Sequence, residues 1–168
     1  YGTNPHQPAA YYRPVGENSV IGGMEILKNG KNGLSQTNLE DISGALNIVK
    51  FFPGVPACAV MKHVNPSGAA IACPGESLCD VYLKARDADA RAAFGSVIAF
   101  NVEVDADTAN AIMSTFVECV VAPAYTEEAL AVLKAKRKGS YNVVAIDPDY
   151  VPDVQERKQI FGITFEQG

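Results

Sequence analysis

The sequence predicts an α/β domain, a β-sheet covered by helices, and three observations carry that expectation. Between Asn38 and Ile146 short apolar runs alternate with segments whose apolar residues recur at helical spacing, as strands and helices do when they follow one another. The runs themselves, such as Ala57-Cys58-Ala59-Val60 and Val97-Ile98-Ala99-Phe100, are small, β-branched or aromatic and uncharged, which suits buried strands. The composition, 48% hydrophobic and 20% charged over 168 residues, is that of a globular domain. A chain of this length buries roughly 70% of its unfolded surface in one core.

Taken in order, Tyr1 to Pro8 is rich in turn formers and reads as an ordered loop. Its aromatic, amide and imidazole groups either line a site or form a surface lead-in with a solvated His6. Ser19-Val20-Ile21 and Met24-Glu25-Ile26-Leu27 flank Gly22-Gly23, a hairpin signal, and Lys28 to Gly33 is a polar turn. Thr37-Asn38-Leu39-Glu40 has the form of a capping box, with a hydroxyl for the orphan N–H groups and a Glu three residues on. Leu39, Ile42, Leu46 and Val49 then keep helical spacing as far as Phe52, where Pro53-Gly54 ends the run. Pro56 to Val60 reads as a buried strand, and Asn65-Pro66 with Ser67-Gly68 as a turn.

Ser77 caps a helix from Leu78 to about Arg86, and Asp87 to Arg91 is polar. Phe94 to Phe100 is a second central strand, entered through Gly95. Glycine there signals a bulge or the close approach of a backbone or ligand. Asp105 to Phe116 is a short helix, and Glu118 opens the strand that Pro123 closes. Thr126-Glu127-Glu128 starts a helix that ends in Lys134, Lys136, Arg137 and Lys138 before Gly139, charges that match the helix dipole at both ends. Asn142 to Ile146 is a further strand. The tail carries Pro148 and Pro152, then Ile163-Thr164-Phe165 as a last short strand.

The net charge of -5 argues against a protein built mainly to neutralise phosphate backbones, so no nucleic-acid partner is expected, while a local basic pocket for one phosphate stays open. No apolar run approaches the ~18 residues of a membrane span and no signal peptide is visible, so no membrane partner is expected and the cytosol is the default. The four cysteines, Cys58, Cys73, Cys79 and Cys119, form no C-x-x-C pair and read as free thiols. With two histidines, and without C-x-x-C or H-x-E, the sequence offers no zinc site. It also holds neither G-x-x-x-x-G-K-[ST] nor G-x-G-x-x-G. A Cys–His nucleophile pair stays open, although no cysteine has a polar, activating context.

The stretch Met61 to Gly68 carries the chemistry. Lys62 and His63 follow a buried strand without a spacer, and an unpaired charge at such a place is costly unless it faces a cavity or a partner. In α/β proteins the carboxyl end of a strand is where ligands most often bind. A neutral imidazole takes a proton near pH 7, and an adjacent ammonium stabilises developing negative charge or protonates a leaving nitrogen. Strand neighbours point to opposite faces, so both serve one site only if the strand breaks, and Asn65-Pro66 is the expected break. The alternative is a paired surface lysine and a structural histidine.

Four segments together carry a family resemblance. Tyr1-Gly2-Thr3-Asn4-Pro5-His6-Gln7 resembles the Y-G-x-N-P-H-Q opening of the AICAR transformylase domain of the bifunctional purine-biosynthesis enzyme. Lys62-His63-Val64-Asn65-Pro66-Ser67-Gly68 resembles its K-H-x-N-P-x-G motif. Ala93-Phe94-Gly95 is similar to its S-F-G or A-F-G segment, and Val117 to Pro123 to its V-E-x-x-x-A-P segment. The order and approximate spacing agree across essentially the whole chain. Gln36-Thr37 replaces the more common Tyr-Asn of an L-S-Y-N-N segment, and Ser67 stands where many members have Cys.

The resemblance implies a three-layer α/β/α, cytidine-deaminase-like fold lacking zinc, with residues 1–168 as the first of two such halves. The cyclohydrolase domain and the second half would lie elsewhere in a longer protein, and the piece alone is expected to be inactive. It implies formyl transfer from the cosubstrate 10-formyltetrahydrofolate to the 5-amino group of the AICAR nucleotide, giving FAICAR in IMP biosynthesis, in a homodimer that needs no metal for the chemistry. The parent protein would also be an IMP cyclohydrolase. His63 would be the proton acceptor, Lys62 the charge stabiliser and His6 a supporting catalytic residue. Tyr1, Gly95, Glu118, Phe94 and Asn65 would contact the nucleotide. The alternative of another class is a non-catalytic nucleotide-binding or dimerisation module of the same fold. A hydrolase with a cysteine nucleophile is a third reading, and it predicts sensitivity to thiol alkylation.

Overall fold

The computed structural model describes residues 1–4, 6–12, 15, 19–135, 141–150 and 155–168. The elements in order are β1 (Glu25–Lys28), α1 (Gln36–Val49), β2 (Ala57–Lys62), β3 (Asn65–Ile71), α2 (Leu78–Asp87), β4 (Ser96–Phe100) and α3 (Ala106–Met113). They continue with β5 (Val117–Ala122), α4 (Glu127–Ala135), β6 (Asn142–Ala145), β7 (Glu156–Ile160) and β8 (Ile163–Gln167).

Alternation along the central strands divides the core between two faces, as a period of two requires. Cys58 and Val60 of β2, with Ile98 and Phe100 of β4, join a core that includes Val81, Tyr82 and Ala85 of α2, Ile112 of α3 and Leu133 of α4. Ala57, Ala59 and Met61, with Val97 and Ala99, join the opposite core against Ile42, Ala45, Leu46 and Val49 of α1. Helices therefore cover both faces, and the expected three-layer α/β architecture is what the chain adopts. The six-stranded sheet runs β1-β6-β5-β4-β2-β3. Strands β4, β5 and β6 are parallel, whereas β2 is antiparallel to both β3 and β4, and β1 is antiparallel to β6. Among the described residues no helix is long and apolar enough to cross a membrane.

Several boundaries differ from the sequence expectation, each for a local reason. Helix α1 starts two residues early. Its cap is Ser35, not Thr37: the Ser35 hydroxyl accepts from Asn38 N at 3.0 Å while Asn38 Oδ1 accepts from Ser35 N at 3.0 Å. Asn at the third position closes the box that a Glu was expected to close. Ser35→Ala should therefore lower stability by about 1 kcal/mol, and Thr37→Ala by clearly less. Denaturant midpoints of the two variants decide which hydroxyl is the cap. The helix stops at Val49 with Lys50 as C-cap, short of Phe52.

The Gly22-Gly23 hairpin does not form. Ser19 to Gly23 is a turn closed by Gly23 N to Ser19 O (2.6 Å), and β1 finds its partner in β6, far along the chain. The expected turn at Asn65 to Gly68 is instead the start of β3, which tolerates Pro66 because it is the edge strand and shifts register at that point. The next strand begins at Ser96, leaving Phe94 and Gly95 in the loop before it. Asp105 is the N-cap of α3, accepting from Thr108 N at 2.8 Å, and the helix ends at Met113. Ser77 caps α2 as expected. Lys136, Arg137, Lys138, Gly139 and Pro152, expected in a helix end and a tail, lie outside the described residues, as does Pro5 of the opening motif. Strand β7 was not expected: Glu156 to Ile160 is charged and wholly exposed, so it shows no apolar alternation, yet it pairs with β8.

Candidate active site

The break in the chain that frees Lys62 and His63 comes from the two residues joining β2 to β3. His63 and Val64 both have positive φ, 53° and 65°, the left-handed backbone of a two-residue hairpin loop. Such loops favour Asn-Gly. A valine there is an outlier, and each non-glycine residue so held costs about 1–3 kcal/mol. Two hydrogen bonds hold the loop: Val64 N donates to Asp41 Oδ1 at 2.5 Å, and Asn65 Nδ2 donates to His63 O at 2.9 Å. Asp41 lies on α1 and is only 4% exposed. The His63 ring stands exposed at the tip.

Lys62 is half-buried, and its ammonium donates to the carbonyl oxygen of Phe94. Gly95 follows with φ 73°, and its N–H donates to Phe116 O at 2.8 Å. A Cβ on Gly95 would lie 3.4 Å from Lys62 Nζ and 3.5 Å from the Phe116 ring. These are side chains at ordinary contact distance, not the backbone or ligand expected to approach closely. The positive φ and the register shift between Ser96 and Val97 agree better with the alternative of a bulge. The Phe94 and Phe116 rings lie 5.2 Å apart, tilted by 36°, and remain 60% and 40% exposed. They give the cation an aromatic shelf open to solvent.

Glu118, exposed at the start of β5, accepts from Asn38 Nδ2 at 2.8 Å. The Asn38 amide cannot turn freely, because its oxygen is taken by Ser35 N. The N-terminal turn of α1 thus orients the Glu118 carboxylate. Tyr1 joins the same neighbourhood by backbone: its amino group donates to Leu34 O at 3.1 Å, and its carbonyl accepts from Gln36 N at 2.8 Å. His6 stands exposed in the turn from Asn4 to Gln7, and among the described residues no hydrogen bond ties it to Lys62 or His63. Asn65 is opposite Lys62 in the ladder and spends its amide on the loop.

The Lys62–His63 end of β2, the Phe94–Gly95 loop and Glu118 thus lie along one edge of the sheet. That edge is the carboxyl end of β2 but the amino end of β4 and β5, because β2 runs against β4. Lys62 and His63 thus lie at a carboxyl end, as expected of them, whereas Phe94, Gly95 and Glu118 lie at amino ends. Sequence reasoning missed Asp41, Asn38 and Phe116. Asn38 and Asp41 did leave a signal: they are polar residues in the buried stripe of α1 that Ile42, Ala45, Leu46 and Val49 continue.

The thiols fit packing. Cys58 and Cys119 are fully buried, and burial pushes both far above the usual thiol range. Burial, then the neighbouring Asp80, raises Cys79, while Cys73 is exposed. A thiol reagent at pH 8 should label Cys73 first, Cys79 slowly, and Cys58 and Cys119 only on unfolding, which peptide mass mapping reads directly. Rapid labelling of either buried thiol would revive the cysteine-nucleophile reading. Among the described residues no three His, Cys, Asp or Glu side chains gather as metal ligands would.

The family pattern described as "AICARFT/IMPCHase bienzyme" matches residues 1–168. The chain belongs to the AICARFT/IMPCHase bienzyme family. Its relatives include the bifunctional purine biosynthesis protein PurH of Sorangium cellulosum, 47% identical over 140 residues that make up 82% of this chain and 26% of that protein. PurH of Ruminiclostridium cellulolyticum is 39% identical over 163 residues, 96% of this chain and 31% of that protein. PurH of Rippkaea orientalis is 45% identical over 139 residues, with coverage of 82% and 26%. The chain therefore spans about a quarter to a third of the length of these members of the AICARFT/IMPCHase bienzyme family.

Proposed function

We propose that this chain is the first half of the formyltransferase domain of a bifunctional purine-biosynthesis enzyme and carries the acid–base part of its site. The observation behind this reading is the Lys62–His63 corner: an imidazole exposed on a strained loop beside a lysine whose ammonium is fixed to the Phe94 carbonyl. The reaction is formyl transfer from 10-formyltetrahydrofolate to the 5-amino group of the AICAR nucleotide. That amine is a weak nucleophile, its lone pair delocalised into the imidazole ring and tied to the carboxamide. As its nitrogen bonds to the formyl carbon, His63 takes the proton. Lys62 offsets the negative charge on the tetrahedral oxygen. Collapse breaks the bond to the folate nitrogen, which regains a proton, and tetrahydrofolate leaves. Glu118, Gly95, Phe94, Tyr1, Asn65 and His6 would hold the nucleotide or support the pair. A homodimer in the cytosol, with the rest of the folate site on other parts of the protein, completes the reading.

The relatives' name covers a bifunctional protein, so the two activities must be assayed separately on the full-length protein. Lys62→Ala and His63→Ala should each abolish most formyl transfer and spare cyclohydrolysis. If cyclohydrolysis falls instead and formyl transfer persists, the site belongs to the other reaction. Wild-type nucleotide binding with neither turnover would support a binding module.

A further inference from the structure

We infer that Asp41 is a positioning residue for this reaction: its buried carboxylate grips the Val64 N–H and so holds the left-handed loop that presents His63. The inference rests on the formyl-transfer reading. Three observations carry it. The loop residues His63 and Val64 have φ 53° and 65° although neither is glycine, so the local sequence does not choose this backbone unaided. Asp41 is 4% exposed, and its Oδ1 accepts a hydrogen bond from Val64 N at 2.5 Å, so a buried side chain of another element holds the loop. It also belongs to α1, whose Asn38, one turn earlier, orients Glu118. One helix thus sets two groups of the site, Glu118 through an amide and the His63 loop through a carboxylate. Loss of the grip would let the loop relax toward an unstrained turn and carry the imidazole away from where a substrate amine must meet it. Small misplacements of a reacting group suffice for a loss of about 10²-fold.

The test uses the full-length enzyme. Asp41→Ala should lower kcat for formyl transfer by about 30–100-fold while KM for the nucleotide stays within about threefold. Asp41→Asn, which keeps an oxygen for Val64 N, should retain kcat within about fivefold of wild type. Val64→Gly placed in the Asp41→Ala protein should recover about tenfold of the loss, because glycine adopts positive φ without help. Hydrogen exchange of the peptide covering 61–66 should rise in Asp41→Ala and fall back in the double variant. A kcat in Asp41→Ala within twofold of wild type, or a loss that neither Asn nor Val64→Gly repairs, would overturn the proposal. Should Asp41→Ala not fold, exchange and kcat of Asp41→Asn with and without Val64→Gly decide the same question. Formyl transfer that survives His63→Ala would sink the formyl-transfer reading instead, and the exchange data would still decide what Asp41 holds.

Discussion

His63→Ala in the full-length enzyme should lower kcat for formyl transfer by about 10²–10⁴-fold, the range a positioned general base supplies. Stability should barely change. The ring is exposed at the tip of the loop, and substitutions at such sites stay within about 0.5 kcal/mol. Alanine also meets less steric resistance than a branched residue at φ 53°, so the β2–β3 connection should survive. A large loss of rate with an unchanged melting temperature separates a proton acceptor from a structural histidine. Lys62→Ala should cost about 10²–10³-fold if its ammonium faces the developing oxyanion. Lys62→Arg should rescue little, since a planar fork does not reproduce a point charge fixed to the Phe94 carbonyl. Near wild-type turnover in both alanine variants would end the catalytic assignment.

How much of this was legible beforehand depends on the range of the interactions. The central strands and α1 to α4 were readable because their periodicity is local and their apolar faces pack against the sheet's two sides. The Lys62–His63 pair was readable because an ionisable pair after an apolar strand is anomalous. The loop that separates the two was not, since Asn-Pro-Ser-Gly is the better turn by composition. The chain turns at His63-Val64 because Asp41, 23 residues away, holds it. The start of α1 was missed because Asn38 replaced the expected acid in the box. Phe116 was missed because a residue between a helix and a strand carries no periodic signal, and only the pairing of β4 with β5 brings it beneath Gly95.

Gly68, the last residue of the Lys62 motif, gives the largest expected effect on stability. In the sequence it reads as part of a turn, where glycine supplies backbone freedom. In the fold it is a strand residue paired with Val60, and its φ is not positive. What it supplies is closeness. A Cβ there would fall inside contact distance of the Ala85 carbonyl oxygen, 3.1 Å from Ala85 C and 2.8 Å from the Ala88 Cβ. Most of these atoms are backbone of α2, and Ala85 is fully buried, so neither side can yield by a rotamer change. Gly68→Ala should therefore cost about 3 kcal/mol, the upper range of overpacking, against an ordinary reserve of only about 5–15 kcal/mol. Gly75→Ala is the control: its φ is 86°, yet nothing lies within 4 Å, so it should lose only about 1 kcal/mol. Denaturant midpoints of the two variants would separate crowding from backbone freedom, and equal losses would refute the packing account. If β3 must lift from α2 to admit the methyl, the hairpin it shares with β2 lifts too. Formyl transfer in Gly68→Ala should then fall even where the protein stays folded, which ties the motif's final glycine to the position of its histidine.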